Sequence, residues 1–373
     1  MTRVRLNARF RLRPVTGVER FAAEVSDRLA RDPRIRLGDT APDRPLAGLR
    51  GHAWEQFALP RRLDRDEVLF SPCNTGPVSV ARQLVVVHDA AVWDCPEGFG
   101  RTFRELYRHL LPRLARRAAA LATVSQFSRS RLAERLRLPE ERILVLGNAA
   151  SSDFSPAPPN PVGSAAQEGS APPDPVGSGT KEGLVVLCVG SMDPRKNLGR
   201  LLRAWVSLQA AGDLPEGARL ELVGGANPRN FAGVERIEGA GISWLGRIDD
   251  AELVERYRRA DAFVYPSLYE GFGLPPLEAM ACGCPVLLSH AASLPEVGGP
   301  AFESGDVDPA GAVLYFDPES EAGIAAAVSR FLRLDPADRE RMRRNALARA
   351  ARFSWDEVAD RTAAALAAIG GNS

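Results

Sequence analysis

Short, wholly apolar runs alternating with stretches of helical length fill most of this chain, and that alternation constrains it to a layered α/β fold. The runs at 84–87 and 143–146 read as buried strands with Arg-rich helical periodicity between them. Further runs at 184–189, 220–223, 242–245, 262–265 and 285–288 repeat the pattern, separated by helical segments such as 198–209 and 251–259. A strand that is apolar along its whole length is buried on both faces, as in a parallel sheet covered by helices. The pattern predicts a doubly wound parallel sheet in each half of the chain. Ligands of such sheets sit at the carboxyl ends of the strands, so chemistry is expected in the loops after Val189, Val223, Leu245 and Tyr265.

The two sets of runs are separated by a segment rich in Pro, Gly, Ser and Ala, in which Pro159-Asn-Pro-Val-Gly-Ser164 recurs as Pro173-Asp-Pro-Val-Gly-Ser178. It has too little apolar side chain to offset its ordering entropy and reads as a flexible linker. The expected organisation is a first Rossmann-like unit over 1–154, a linker over 155–183 and a second unit over 184–352. A closing helical segment, 353–373, is expected to return toward the first unit.

Charge separates the halves too. Residues 1–150 hold 27 Arg against 17 Asp plus Glu, a balance of +10 that leaves −9 for the rest of a chain whose net charge is +1. A basic half suits an anionic partner such as a nucleotide diphosphate, a lipid diphosphate or a phospholipid surface. No motif supports nucleic acid. The densest basic stretch, Arg101–Arg117, reads as a solvated helix face, with docking to a membrane surface as the alternative. No secretory apolar run follows the N-terminus and no run of eighteen apolar residues occurs, so the protein is expected in the cytoplasm, at most peripheral to the membrane. The cysteines 73, 95, 188, 282 and 284 include no C-x-x-C pair and read as small buried residues.

The segment Tyr265-Pro-Ser-Leu-Tyr-Glu-Gly-Phe-Gly-Leu-Pro-Pro-Leu-Glu278 carries the most chemistry. Gly271 and Gly273 permit close backbone approach, and the N–H groups opening the following helix can hold a diphosphate. Glu270 and Glu278, one before the turn and one inside the helix, can both accept hydrogen bonds from the hydroxyls of a ligand lying across the helix start. The alternative for Glu278 is a surface position. Lysine usage adds a second signal, because the chain has 46 Arg but only Lys181 and Lys196, and a compact ammonium at 196 follows a strand end. Asp306-Val-Asp308 imitates a metal-binding pair but lies among Gly and Pro and reads as a turn.

The Glu, seven residues, Glu arrangement of 270–278 resembles the signature of the family 4 retaining glycosyltransferases of GT-B fold. Thr16-Gly-Val-Glu-Arg20, Val87-His-Asp89, Thr123-Val-Ser-Gln-Phe-Ser128, Gly190-Ser-Met-Asp-Pro-Arg-Lys-Asn197 and Phe353-Ser-Trp-Asp356 follow in that family's order. Asn7-Ala-Arg-Phe and Asp-Pro-Arg-Lys-Asn resemble its bacterial polysaccharide mannosyltransferase-like branch. The resemblance implies that Lys196 holds the donor diphosphate, Glu278 the ribose and Glu270 the donor sugar, with backbone groups of Phe272, Gly273 and Leu274 presented to sugar and phosphates. It further implies that His88, followed by Asp89, stands in the cleft beside the reacting sugar and that Gly17 approaches the donor phosphates. Ser125 falls on an acceptor-side loop and Arg247 near the expected base. Many relatives carry an arginine where this chain has Ser191, and Arg195 is the expected substitute as second phosphate cation. The implied activity is metal-free, cofactor-free, retaining hexosyl transfer from a nucleotide sugar, GDP-mannose first and UDP- or dTDP-sugars next, to a glycan or lipid-linked acceptor. A nucleotide-sugar epimerase or a glycoside phosphorylase of similar fold is the alternative. A dehydrogenase is disfavoured because no G-x-G-x-x-G follows an early strand.

Overall fold

In a computed structural model describing residues 1–158, 183–225, 239, 241–304 and 311–371, two six-stranded parallel sheets carry the chain. The first holds β1 (Thr2–Asn7), β2 (Ile35–Thr40), β3 (Val68–Ser71), β4 (Gln83–Val86), β5 (Ala120–Thr123) and β6 (Ile143–Val145), in spatial order β2-β1-β3-β4-β5-β6. The second holds β7 (Val185–Val189), β8 (Arg219–Val223), β9 (Ile242–Gly246), β10 (Ala262–Tyr265), β11 (Val286–Ser289) and β12 (Val313–Phe316), in order β12-β11-β10-β7-β8-β9. Every expected strand appears within about a residue of its run. The repeated linker motif and Asp306-Val-Asp308 lie outside the described residues.

The long helices are α1 (Gly17–Leu29), α2 (Arg101–Arg117), α3 (Gln126–Leu136), α4 (Leu198–Ala211), α5 (Asp250–Arg259), α6 (Leu274–Ala281), α7 (Glu321–Arg333), α8 (Pro336–Ala350) and α9 (Trp355–Gly371). Each buries one apolar stripe against a sheet or a neighbour. In α2 that stripe is Tyr107, Leu110, Leu111 and Leu114, while Arg104 and Arg108 lie half-buried, 3.7 and 3.8 Å from Glu105. No helix among the described residues is long and apolar enough to cross a membrane.

The halves share apolar packing. Phe154 meets Tyr257 edge-on with ring centroids 6.0 Å apart, and Phe272 of the second half meets Phe353 at 5.8 Å. Beyond Phe353 the chain recrosses, and α9 packs on α1, β1, β3 and β4 of the first half. Trp355 seats on Phe21 with centroids 5.9 Å apart. Arg28 binds Asp356 at 2.7 Å, Arg34 binds Asp360 at 2.7 Å, and Arg82 donates to the Gly370 carbonyl at 2.8 Å.

Candidate functional site

In the second sheet the strand order reverses between β7 and β10, which opens a crevice at the carboxyl ends of those two strands. Lys196 enters it from the turn after β7 and Glu270 from the loop after β10. The first loop is fixed from below: Asn197, in left-handed backbone, donates its amide to the carbonyls of Pro266 at 3.0 Å and Pro318 at 2.7 Å. Lys196 Nζ then lies 2.6 Å from Glu270 Oε1 and 2.7 Å from the Tyr265 hydroxyl. Glu270 Oε1 also accepts from Ser267 at 2.6 Å and Tyr265 at 2.8 Å, while Oε2 has no hydrogen bond among the described residues. Burial alone raises the pKa of Glu270, but the Lys196 charge and the converging donors outweigh it and hold the group below the usual carboxylate range. Glu270 is thus held as the carboxylate, with one oxygen unspent.

The glycine turn follows. Gly273 has φ of 112°, and a side chain there meets Leu294 at 2.7 Å, so only glycine fits. Ser293 Oγ stands 2.9 and 2.7 Å from the carbonyls of Glu270 and Phe272. The N–H groups of Gly271, Phe272, Gly273 and Leu274 have no acceptor among the described residues. Four adjacent free donors at the start of α6 form a cradle suited to oxyanions and sugar oxygens.

Glu278, inside α6, is only 6% exposed, and its hydrogen bond is from the Tyr257 hydroxyl at 3.4 Å. Burial pushes its pKa up to about 7, against the pull of Arg20. Arg20 is shared with Asp250 at 2.6 Å and Ser151 at 3.3 Å. Glu278 is therefore no surface residue; it is a buried carboxyl short of donors.

His88 stands just past β4 with Nε2 2.8 Å from the Pro72 carbonyl, which places the proton on Nε2 and leaves Nδ1 as acceptor. Burial lowers its pKa, so the ring is neutral. Asp89 Oδ1 accepts the Ala91 N–H at 2.9 Å. Both residues touch the glycine turn: a Cβ on Gly271 falls 2.8 Å from the His88 carbonyl and 2.9 Å from Asp89 Cβ. Gly17 opens α1 against Leu274, whose Cδ1 lies 3.2 Å from the position of a Cβ on that glycine.

Other expected residues have prior engagements. Ser125 caps α3 by accepting from Ser128 N–H at 3.0 Å, and its hydroxyl donates to the Gly271 carbonyl at 2.6 Å. Arg247 reaches the Val15 carbonyl at 3.3 Å. Arg195 is held by Asp193 at 3.1 and 3.2 Å and lies over the Phe99 ring, 5.6 Å from its centroid. The structure thus gathers Lys196, Glu270, Phe272, Gly273, Leu274, Gly17, His88, Asp89 and Ser125 around one loop, with Glu278 deeper beside Arg20. Sequence reasoning did not single out Tyr265, Ser267, Ser293, Arg20, Tyr257 or Ser128. Four of these, Tyr265, Ser267, Arg20 and Ser128, lie inside the motifs quoted above, where a polar side chain beside each assigned residue was the available signal. No group of three His, Cys, Asp or Glu among the described residues is placed to hold a metal.

Two parallel six-stranded sheets with backbone donors left free at one switch point are the architecture of a GT-B fold. Residues 175–349 match the family described as glycosyl transferases group 1. The O-antigen chain mannosyltransferase B of Escherichia coli is 32% identical over 304 residues, covering 80% of this chain and 73% of that protein. The serotype-specific mannosyltransferase WbdA of Escherichia coli is 30% identical over 263 residues, 69% of this chain and 29% of that one. Among solved structures, WaaG, a glycosyltransferase involved in lipopolysaccharide biosynthesis, superposes with a TM-score of 0.64 at 17% identity over 97% of this chain and 98% of its own. Anabaena HepE, in complex with UDP and glucose, gives 0.66 at 17% identity over 98% of each chain. The chain belongs to the group 1 glycosyl transferase family.

Proposed function

We propose that the protein moves a mannosyl group, with retention of configuration, from a nucleoside diphosphate sugar to a hydroxyl of a glycan or lipid-linked acceptor. The observation that carries this reading is the Lys196–Glu270 pair beside four free N–H groups: one side offers fixed positive charge to a diphosphate, the other a carboxylate oxygen to sugar hydroxyls. GDP-mannose is the favoured donor, on the strength of the two mannosyltransferase relatives. Glu278, short of donors, takes the ribose hydroxyls, and the basic first half offers a complementary face to an acceptor on an anionic carrier, including one held at a membrane surface.

In this reading the sugar C1–O bond breaks with its electron pair going to the diphosphate, and the acceptor oxygen bonds to C1 on the same face. The acceptor proton passes to the departing phosphate oxygen. Lys196 and the cradle donors stabilise the growing negative charge, a role for preorganised dipoles that works without a metal. Neutral His88 presents an acceptor nitrogen beside the donor loop and orients a sugar hydroxyl. A thermal-shift screen of GDP-, UDP-, dTDP- and ADP-sugars, followed by product anomer assignment by NMR with and without EDTA, tests the proposal. Stabilisation by GDP-mannose, an α-linked product and indifference to EDTA are expected. An inverted product or chelator-sensitive turnover overturns the mechanism, and binding of none of these donors overturns the function.

A further inference from the structure

Two serines three residues apart open α3, and both hydroxyls converge on a single carbonyl of the other half. Ser125 Oγ lies 2.6 Å and Ser128 Oγ 2.9 Å from the Gly271 oxygen. The same helix start is gripped a second time from across the cleft, where the Glu296 carboxylate accepts the N–H groups of Gln126 at 2.8 Å and Phe127 at 2.6 Å. The first turn of α3 therefore spends its orphan donors on the second half and on its own cap rather than on water. On its other side the loop is held by Ser293, which stands at the carbonyls of Glu270 and Phe272. Three consecutive carbonyls thus face serine hydroxyls, the middle one entirely from the first half.

A peptide unit is planar and trans, so fixing the Gly271 carbonyl also fixes the direction of the Phe272 N–H, which points the opposite way. That N–H is one of the four free donors of the cradle. Ser128 is fully buried, and its hydroxyl has no acceptor other than the Gly271 oxygen among the described residues. A hydroxyl placed there solely for packing has no reason to meet a carbonyl of the opposite half that Ser125 already serves.

We propose that Ser128, supported by Ser125, is a positioning residue for transfer: from the acceptor-side half it sets the Gly271–Phe272 peptide and so aims the cradle donors at the donor sugar. The proposal rests on the reading of residues 270–278 as the donor site. The side chains of Lys196 and Glu278, on which ground-state nucleotide affinity chiefly rests in this reading, are not touched by this clamp, whereas the alignment of the sugar against the departing diphosphate depends on it. Ser128 affects the reaction through Gly271 and touches no reacting atom.

The test is Ser128→Ala in the full chain, with Ser128→Cys, isosteric and a weaker donor, as companion. Three quantities are read: kcat for transfer from the donor that stabilises the wild type, the Kd for the matching nucleoside diphosphate, and Tm. The expected result is a fall in kcat of roughly three- to tenfold, the span of one hydrogen bond, with Kd within about twofold, Tm close to wild type and the Cys variant intermediate. Unchanged kcat overturns the role, and so does a loss of kcat matched by equal losses in nucleotide affinity and Tm, which marks a merely structural serine. A wild type that transfers from no nucleotide sugar sinks the donor-site reading itself, whereas an active wild type with a fully active Ser128→Ala sinks the clamp alone.

Discussion

Lys196 lies between a carboxylate and a phenol, 2.6 Å from Glu270 and 2.7 Å from Tyr265, so its charge is aimed before any ligand arrives. Replacing it with Ala is expected to lower kcat by on the order of a hundredfold, comparable to losing one preorganised oxyanion donor. Arg is expected to rescue poorly, because a planar fork does not occupy an ammonium's place; saturating-donor kinetics on both variants are the check. Glu278 leads to a pH effect. Burial raises its pKa to about 7, so the folded protein holds a proton there that the unfolded chain releases near the ordinary glutamate value of 4.5. The sign follows: this group's contribution to stability is largest at low pH and declines as pH rises through that window. Hydroxyl donors from a ribose favour the carboxylate, so nucleotide binding is expected to release a proton near pH 6 and to tighten as pH rises toward 7. Calorimetry in buffers of different ionisation enthalpy reads that proton, and Glu278→Gln is expected to abolish it. At this scale the sequence was legible where a residue type was rare for the chain, as with Lys196. It was less so for Ser293 and Tyr257, whose role comes only from what folding places opposite them.

The last helix, α9, belongs energetically to the half farthest from it in sequence. Trp355 is 4% exposed and rests on Phe21, and Trp355→Ala is expected to cost about 3–5 kcal/mol. A lower denaturant midpoint with an unchanged slope is the signature. Strands that were continuous apolar runs, such as β7 and β10, could be read directly because burial on both faces leaves no room for polar residues. β1 and β2 could not. Thr2–Asn7 interleaves Arg3 and Arg5 with Val4 and Leu6, because one face meets the core while the arginines pair with Asp66 at 2.8 Å and Glu67 at 2.7 Å. β3, β5 and β12 were not picked out either, although each is four residues long like β10, because periodicity alone does not separate runs this short from buried helix.

For the whole molecule, the halves meet in a close fit, and Gly271 measures it. A methyl group at this position falls 2.8 Å from the His88 carbonyl and 2.9 Å from Asp89, closer than real contacts allow. Gly271→Ala is expected to force the halves apart, costing at least tenfold in transfer, by more than the 1.4 kcal/mol that a factor of ten represents, while each sheet stays folded. Small-angle scattering showing an unchanged envelope together with full activity argues against that picture. The return of α9 to the first half has a further consequence, for synthesis. A growing chain has strands β1–β6 by Val145, yet Trp355, Val358 and Leu366, which help close the core around them, come only after the whole second sheet. The second half has its last strand by Phe316 and its packing helices by Ala350. The half that is translated first is therefore the one completed last, and its apolar sheet face has to be kept from other chains until residues 355–371 arrive.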